Sequence, residues 1–319
     1  MSFIYTHILQ VILCLDMPSK MSQEEIAPVL RIAIIGGGIG GTALALALST
    51  HQNIHFTIYE SRAEFGEIGA GLAFAPNAHR VMELMSPALW QGYKSRASFK
   101  GYKPVVRSGN DGWEETGGLW ADVTVGEGVH AGKRVMAVAM DDPMKLSTAH
   151  RADFMEEIVN LLPEGCVEFN KVLVDVKQGD DKVVCKFSDG SVVETDAVIG
   201  CDGVRSICRK FVFEKEADLA TPVFSEMVAY RGLVPMKLAE NVMGTEKAHN
   251  RNIIIGHDRH VITFPVSDGS LVNAVALSTR KQWEGSWIVP GQKANMMQEF
   301  SEWDNGVKKI LEVCDVLFV

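Results

Sequence analysis

Residues 36–41 read Gly-Gly-Gly-Ile-Gly-Gly, which puts Gly36, Gly38 and Gly41 at G-x-G-x-x-G spacing. That spacing suits one task, holding a pyrophosphate against main chain. The first glycine permits a tight turn, the second lets the backbone approach the phosphates, and the third lets a helix pack closely on a strand. A helix beginning there aims its free N–H groups and positive dipole end at the anion. Glu60 follows at the separation where a carboxylate accepts hydrogen bonds from a ribose diol. An acid at that place argues against a 2′-phosphate and leaves open which dinucleotide binds. The bland alternative is a Gly-rich turn in an ordinary α/β protein. What separates the two is whether a strand precedes the glycines and a helix follows.

The flanking residues meet that condition. Arg31 to Ile35 is a short β-branched run that reads as a buried strand, and Thr42 to Ser49 (TALALALS) is a strong helix former. His55 to Glu60 reads as a second strand, so residues 31–60 make a strand–turn–helix–strand unit and predict a parallel sheet. Residues 66–72 are Gly-rich and read as a loop. Asn77 to Met85 reads as a helix stopped by Pro87. Residues 108–128, rich in Gly, Asp and Glu, read as a mobile surface loop. Arg151 to Leu162 has helical spacing of apolar residues.

A β-meander should follow, with strands over 167–169, 172–176, 183–187 and 191–194. Ala197 to Gly200 reads as another buried strand running into a sharp turn at Cys201-Asp202-Gly203. Strand-like runs over 223–280 predict a second, antiparallel domain. The expected fold class is α/β, a Rossmann-like domain with a parallel sheet and β-meander plus a smaller antiparallel-sheet domain. The expected divisions are an extension over 1–30, a nucleotide-binding domain over 31–215, a substrate domain over 216–300 and the start of a further segment over 301–319.

Composition narrows the function. The chain has 319 residues, 47% hydrophobic, and a formal net charge of −9. That balance argues against nucleic acid, whose phosphates need clustered Lys and Arg. Six scattered cysteines with no CxxC pair read as reduced thiols of a cytoplasmic protein, and no metal site is expected. Phe3 to Leu15 is mostly apolar but has no preceding Lys or Arg and no small-residue cleavage site. It is too short for a transmembrane helix. It reads as a peripheral membrane contact or a mis-assigned start, since Met17 and Met21 offer later ones.

Further motifs carry a family resemblance. Glu60-Ser-Arg62, then Gly66-Glu-Ile-Gly-Ala-Gly-Leu72 and Ala75-Pro-Asn-Ala78, is similar to the segment after the second strand in flavoprotein aromatic hydroxylases of the salicylate-hydroxylase type. His150-Arg151-Ala-Asp153 resembles a further family element. Gly200-Cys-Asp202-Gly203-Val-Arg205-Ser206 with Arg209 resembles the family's DG motif. Tyr230-Arg231-Gly232-Leu-Val-Pro235 and Phe264-Pro265 resemble its substrate domain. The likeness runs from about residue 31 to about residue 300. It implies bound FAD, NAD(P)H as a transient reductant, and O2 captured as a flavin C4a-hydroperoxide. The implied product is a hydroxylated small aromatic or phenolic, polyketide-like compound of secondary metabolism. The cofactor carries the difficult chemistry, while the protein positions it and excludes water.

The resemblance also implies roles. Glu60 would hold the adenosine ribose, and Ala73 would lie against the cofactor. Arg151 would approach the flavin or its phosphates, where a fixed cation offsets anionic charge; otherwise it is a surface arginine at a helix start. Asp202 and Gly203 would border the pyrophosphate and the reductant path, against the alternative of a plain Asp-Gly turn. Arg231 is the catalytic candidate, because a cation beside the ring can bind a carboxylate or stabilise a phenolate. Its alternative is a structural ion pair with Glu226.

Two features depart from the family. Several relatives have Tyr before the proline at Phe264-Pro265, and Phe264 cannot donate that hydrogen bond. The family's Gly-Asp motif, which binds the riboflavin end of FAD, normally follows the point where this chain stops, and no such string occurs here. The expectation is therefore a chain that lacks its C-terminal piece, binds FAD weakly and hydroxylates poorly. The competing readings are a catalytically impaired nucleotide-binding product and an NAD-dependent dehydrogenase; the DG motif and the 66–72 segment disfavour the dehydrogenase.

Overall fold

The computed structural model describes residues 10–12, 29–66, 71–99, 105–107, 113–115, 118–140, 146–283, 286 and 289–318. The chain divides into two compact units, one made of residues up to 66 with 155–223, the other of 67–154 with 224–319. Residues 67–154 thus group with the second unit, where the sequence suggests one stretch over 31–215.

The first unit is built on a five-stranded sheet in the order Gln10–Ile12, Ala197–Gly200, Leu30–Ile35, Ile54–Tyr59, Val167–Glu168. Four strands are parallel, and Gln10–Ile12 pairs antiparallel at one edge. A parallel sheet is covered on both faces, so its central strands are apolar throughout. Ile32, Ile34, Ala45, Ile58 and Ile199 make one buried cluster with the Ile39–Leu48 helix. Ala33, Ile35, Tyr59 and Val198 pack on the other side against Val176, Val183, Cys185 and Phe187. Those last residues belong to an antiparallel meander of Leu173–Gln178, Val183–Phe187 and Val192–Thr195. Residues 167–168 do not join that meander. They pair with Ile58 and Tyr59 and extend the parallel sheet instead.

The second unit holds a seven-stranded sheet in the order Asp315–Phe318, Met227–Pro235, Leu271–Thr279, Arg259–Val266, Asn252–Ile255, Gly118–Val125, Arg134–Met140. Every pair is antiparallel except Asn252–Ile255 with Gly118–Val125. Val228, Tyr230, Val234, Ala274, Ala276, Val261 and Ile254 face a core completed by Ala239, Ile310 and Leu311, from the helices Met236–Met243 and Asn305–Val313. Among the described residues no helix is long and apolar enough to cross a membrane.

Two local expectations need correction. The supposed loop over 108–128 contains the strand Gly118–Val125; residues 108–112 and 116–117 lie outside the described residues. Its acidic residue misled: Asp122 is buried because Arg134 donates two 2.6 Å hydrogen bonds to its carboxylate, while Ala121 and Val123 fill the core. Pro87 does not merely stop a helix. It opens the next one, Pro87–Arg96, where a missing N–H costs nothing and the Ser86 hydroxyl accepts from Leu89 N–H at 3.2 Å.

Candidate functional site

In the first unit three strand ends meet at the glycine turn. Gly36 N–H donates to Tyr59 O at 2.9 Å, and Cys201 N–H donates to Ile35 O at 2.7 Å. Gly36 has φ +104°, and a Cβ there would collide with the Cys201 carbonyl. A Cβ on Gly41 would collide with the Gly36 carbonyl. At Gly38 the result is different, with nothing within 4 Å of an added Cβ. The first and third glycines are therefore required by the fold itself, whereas the second borders open space at the helix start. No side chain caps that helix, and no acidic residue stands in its first turn, which leaves its dipole for an anion.

Glu60 is held in place by its neighbours. Its Oε2 accepts from Gly37 N–H at 2.6 Å, and Oε1 accepts from Arg62 N–H at 2.9 Å and the Ser61 hydroxyl at 3.0 Å. A carboxylate offers about four acceptor positions, so with three in use about one remains, enough for one hydroxyl of a diol. Phe65 packs edge-on against Phe169, with ring centroids 5.0 Å apart, and lies beside Gly37.

Asp202 is committed elsewhere. Its Oδ1 accepts from the Ser206 hydroxyl at 2.6 Å, and its Oδ2 accepts from Ile207 N–H at 2.7 Å and Cys208 N–H at 3.1 Å. The carboxylate thus secures the helix Ile207–Phe213, and its main chain lies against Gly36. Gly203 sits next to it at φ +70°. The nearby thiols are no nucleophiles: burial pushes Cys201 and Cys185 up to about 11, and Cys208 higher still.

In the second unit Gly71–Phe74 and Ser147–His150 pair as an antiparallel ribbon, with Ala73 opposite Thr148 and Gly71 opposite His150. Gly71 N–H donates to Asn273 Oδ1 at 2.8 Å, and a Cβ on Gly71 would meet the Phe264 ring at 2.6 Å. The Thr148 hydroxyl donates to Pro265 O. The ribbon therefore lies on the sheet at Asn273 and Phe264. Ala73 is exposed, and half-buried Arg151 opens the helix Arg151–Val159 directly after the ribbon. His150 Nδ1–H donates to Asp153 Oδ1 at 3.2 Å, and Asp153 Oδ2 accepts from the Ser267 hydroxyl at 2.9 Å. His150 Nε2 and Asn273 Nδ2 are buried without a hydrogen-bond partner among the described residues.

Arg231 is half-buried on Met227–Pro235, opposite Val275. It makes no ion pair with a described residue. Glu226, the partner weighed from sequence, instead uses its carbonyl to accept Arg280 N–H at 2.7 Å. Arg251 lies on the same face, with its guanidinium carbon 5.6 Å from the Phe264 ring centroid. Lost solvation lowers its pKa to about 10, opposed by the nearby Tyr93. Tyr93 is itself pushed up to about 12 by burial and shares the buried Ser147 hydroxyl with His79.

No family model matches the chain. It is 37% identical over 308 residues to an FAD-dependent monooxygenase, pigN, of Monascus ruber, covering 93% of this chain and 65% of that protein. It is 33% identical over 290 residues to a salicylate hydroxylase of Pseudomonas putida, covering 86% and 62%. A solved salicylate hydroxylase substrate complex superposes with a TM-score of 0.68 at 28% identity, covering 91% of this chain and 67% of that one. Over about nine tenths of its length the chain is similar to FAD-dependent monooxygenases of the salicylate-hydroxylase type. It spans somewhat less than two thirds of the length of the curated relatives it matches.

The first unit brings Gly36, Gly41, Glu60, Asp202 and Gly203 around one turn, with Gly38 at its open side. The second unit carries Ala73 and Arg151 on the ribbon and Arg231 on the sheet. The family-like segment 66–72 is described only at Gly66, Gly71 and Leu72, and residues 67–70 lie outside the described residues. Sequence reading overlooked Asn273 and Arg251, and named His150 and Asp153 only as part of a family-like string, not as a hydrogen-bonded pair. Arg251 had a faint signal, since Arg251, Ile253 and Ile255 alternate along one strand, and Asn273 had none.

Proposed function

We propose that this chain binds FAD and serves a monooxygenase that hydroxylates a small aromatic or phenolic substrate, using NAD(P)H and O2. The observation that carries the cofactor reading is the contrast among the three glycines. Gly36 and Gly41 are closed by the fold, while Gly38 faces empty space at an uncapped helix start. A dinucleotide pyrophosphate fits there, with the Glu60 carboxylate placed for the ribose diol. Gly38, Glu60 and the Asp202–Gly203 main chain would hold the adenosine and pyrophosphate, and Ala73 and Arg151 the part nearer the flavin. Reduced flavin supplies the activation of O2.

The chain's own residues do the rest. Arg231 binds the acidic oxygen of the substrate and favours its anionic form, and a phenolate ring is more electron-rich than a phenol. The apolar sheet face around it keeps water from the ring. Relatives named as a salicylate hydroxylase and a 6-methylsalicylate 1-monooxygenase support an aromatic acid as the substrate class. The test is to incubate the chain with FAD, NADH or NADPH, and salicylate-type phenols, counting hydroxylated ring and peroxide separately. Hydroxylated product that requires FAD supports the reading; NAD(P)H consumption that ignores both FAD and the aromatic overturns it.

A further inference from the structure

In the parallel sheet of the first unit, Ala197–Gly200 pairs on one side with Leu30–Ile35. The strand is apolar and buried throughout, Val198 fully so. Its other row of main-chain groups would face outward, and a bare strand edge templates pairing with other chains. Gln10–Ile12 lies along that edge, with Gln10 opposite Gly200, Val11 opposite Ile199 and Ile12 opposite Val198. Among the described residues it is the one antiparallel pairing in this sheet. A strand of three residues is also a blunt edge, too short to recruit a further one.

Ala197–Gly200 runs directly into the turn that closes on the glycine site. Gly200 has Ile35 as its partner on one side and Gln10 on the other. A Cβ on Gly200 would meet the Cys208 Cβ at 2.5 Å, so the helix Ile207–Phe213 presses on the same residue. Cys201 N–H donates to Ile35 O at 2.7 Å, and the Cys201 carbonyl fills the space that a Cβ on Gly36 would need. Gly200 is therefore held from three directions, one residue before the contact that sets Gly36. Gln10–Ile12 supplies one of the three, and it also runs beside the helix that supplies another.

We propose that Gln10–Ile12 is a strap that covers the free edge of the nucleotide-binding sheet and steadies the Cys201–Gly203 turn for FAD. The link to FAD rests on the cofactor reading above; the cover of the edge does not. Of the apolar run over 3–15, for which the sequence alone suggests a peripheral membrane contact, only residues 10–12 are described. Their pairing commits that part of the run to the sheet edge. A chain begun at Met17 would keep every residue of the glycine turn and leave the edge bare.

The test compares the full chain, a chain begun at Met17, and the full chain carrying Gln10→Pro and Val11→Pro together. Adjacent N–H groups of a strand point to opposite sides, so one of the two prolines removes a donor aimed at Ala197–Gly200. Amide hydrogen exchange is followed over residues 197–203 and over Ile54–Tyr59, which has strands on both sides, and FAD is titrated into each protein. One hydrogen bond of ordinary net worth changes a local equilibrium about tenfold. Exchange over 197–200 should therefore be about tenfold faster or more in both altered chains, and FAD binding about three- to tenfold weaker. Ile54–Tyr59 should exchange as before. Equal exchange and equal FAD affinity in all three proteins overturn the strap. A rise that includes Ile54–Tyr59 equally means a general loss of stability and also overturns it. Faster exchange over 197–200 with unchanged FAD affinity overturns the support of the turn. If none of the three binds FAD, the cofactor reading fails, and exchange still decides whether the edge is covered. Vesicles of phosphatidylcholine and phosphatidylserine provide the last arm. If they retain the full chain but not the Met17 chain, and 197–200 exchange fast in both, the segment serves a lipid surface and the proposal fails.

Discussion

The glycine turn presents main chain; the face of the seven-stranded sheet around Arg231 presents side chains. The turn gathers Gly36, Gly41 and Glu60 from a short stretch of sequence, and closes on Cys201 and Asp202. The sheet face gathers Arg231, Val275, Ile262 and Ile253 from four strands, placed only by register. Main-chain sites tolerate almost no change of residue type, because sterics leave no alternative. A face made of side chains can be rewritten one position at a time without disturbing the sheet. That contrast suits an arrangement with a constant cofactor and a variable substrate.

The strongest way to break the comparison is at the turn. Gly41→Ala sets a methyl against the Gly36 carbonyl and should destabilise the first unit by about 3 kcal/mol or more, read as an early melting transition. Gly38→Ala, facing open space, should cost no more than about 1 kcal/mol. Equal losses would erase the division among the glycines.

At the sheet face the expected losses are in binding. Arg231→Ala should leave FAD affinity within about twofold and weaken aromatic acids about ten- to a hundredfold, the worth of one charged hydrogen bond. A parallel loss of FAD would mean that the two surfaces are not separable.

Asn273 joins the ribbon to the sheet. Asn273→Leu removes the acceptor of Gly71 N–H and should cost about 1–2 kcal/mol, below the full penalty for a stranded donor because it also removes the unpaired Nδ2. Combining it with Gly71→Ala, which presses on Phe264, should cost less than the two losses added, since the residues touch. Additive losses measured by chemical denaturation would count against direct coupling.

The smallest expected effect concerns pH. The Lys182 ammonium hydrogen bond, then the Arg31 N–H, hold the Asp196 carboxyl below its ordinary value. A depressed folded pKa gives stability that is present above the unfolded value near 4 and is lost as pH falls through the folded one. The pair is partly exposed, so Asp196→Asn should lower Tm only about 1–3 °C at neutral pH. The gap should close below about pH 3; a gap that persists there would assign the loss to packing.

What could be read beforehand follows the same contrast. Gly36, Gly41 and Glu60 were legible because a strand–turn–helix unit is local and its glycines are sterically dictated. Arg231 is named through its Tyr-Arg-Gly setting, and the structure places it on the strand Met227–Pro235 opposite Val275, with its role left to the proposal. The row of Arg231, Val275, Ile262 and Ile253 was not legible, since their opposition depends on hairpin registers that no short pattern encodes. Asn273 is silent for the same reason: its partner Gly71 lies far away in sequence. The strand Gly118–Val125 was obscured by Asp122, whose burial makes sense only beside Arg134.

The central claim, that the glycine turn binds the adenosine and pyrophosphate of FAD through main chain, is tested most directly by titrating FAD into the wild-type chain and Gly38→Val. The isopropyl group introduced by that substitution would fill the space that is open beside Gly38 while leaving the packing of Gly36 and Gly41 untouched. The account predicts that both proteins melt within a few degrees of each other and that the variant binds FAD at least about tenfold more weakly, a loss of about 1.4 kcal/mol. Equal FAD affinity in two equally folded proteins would contradict it.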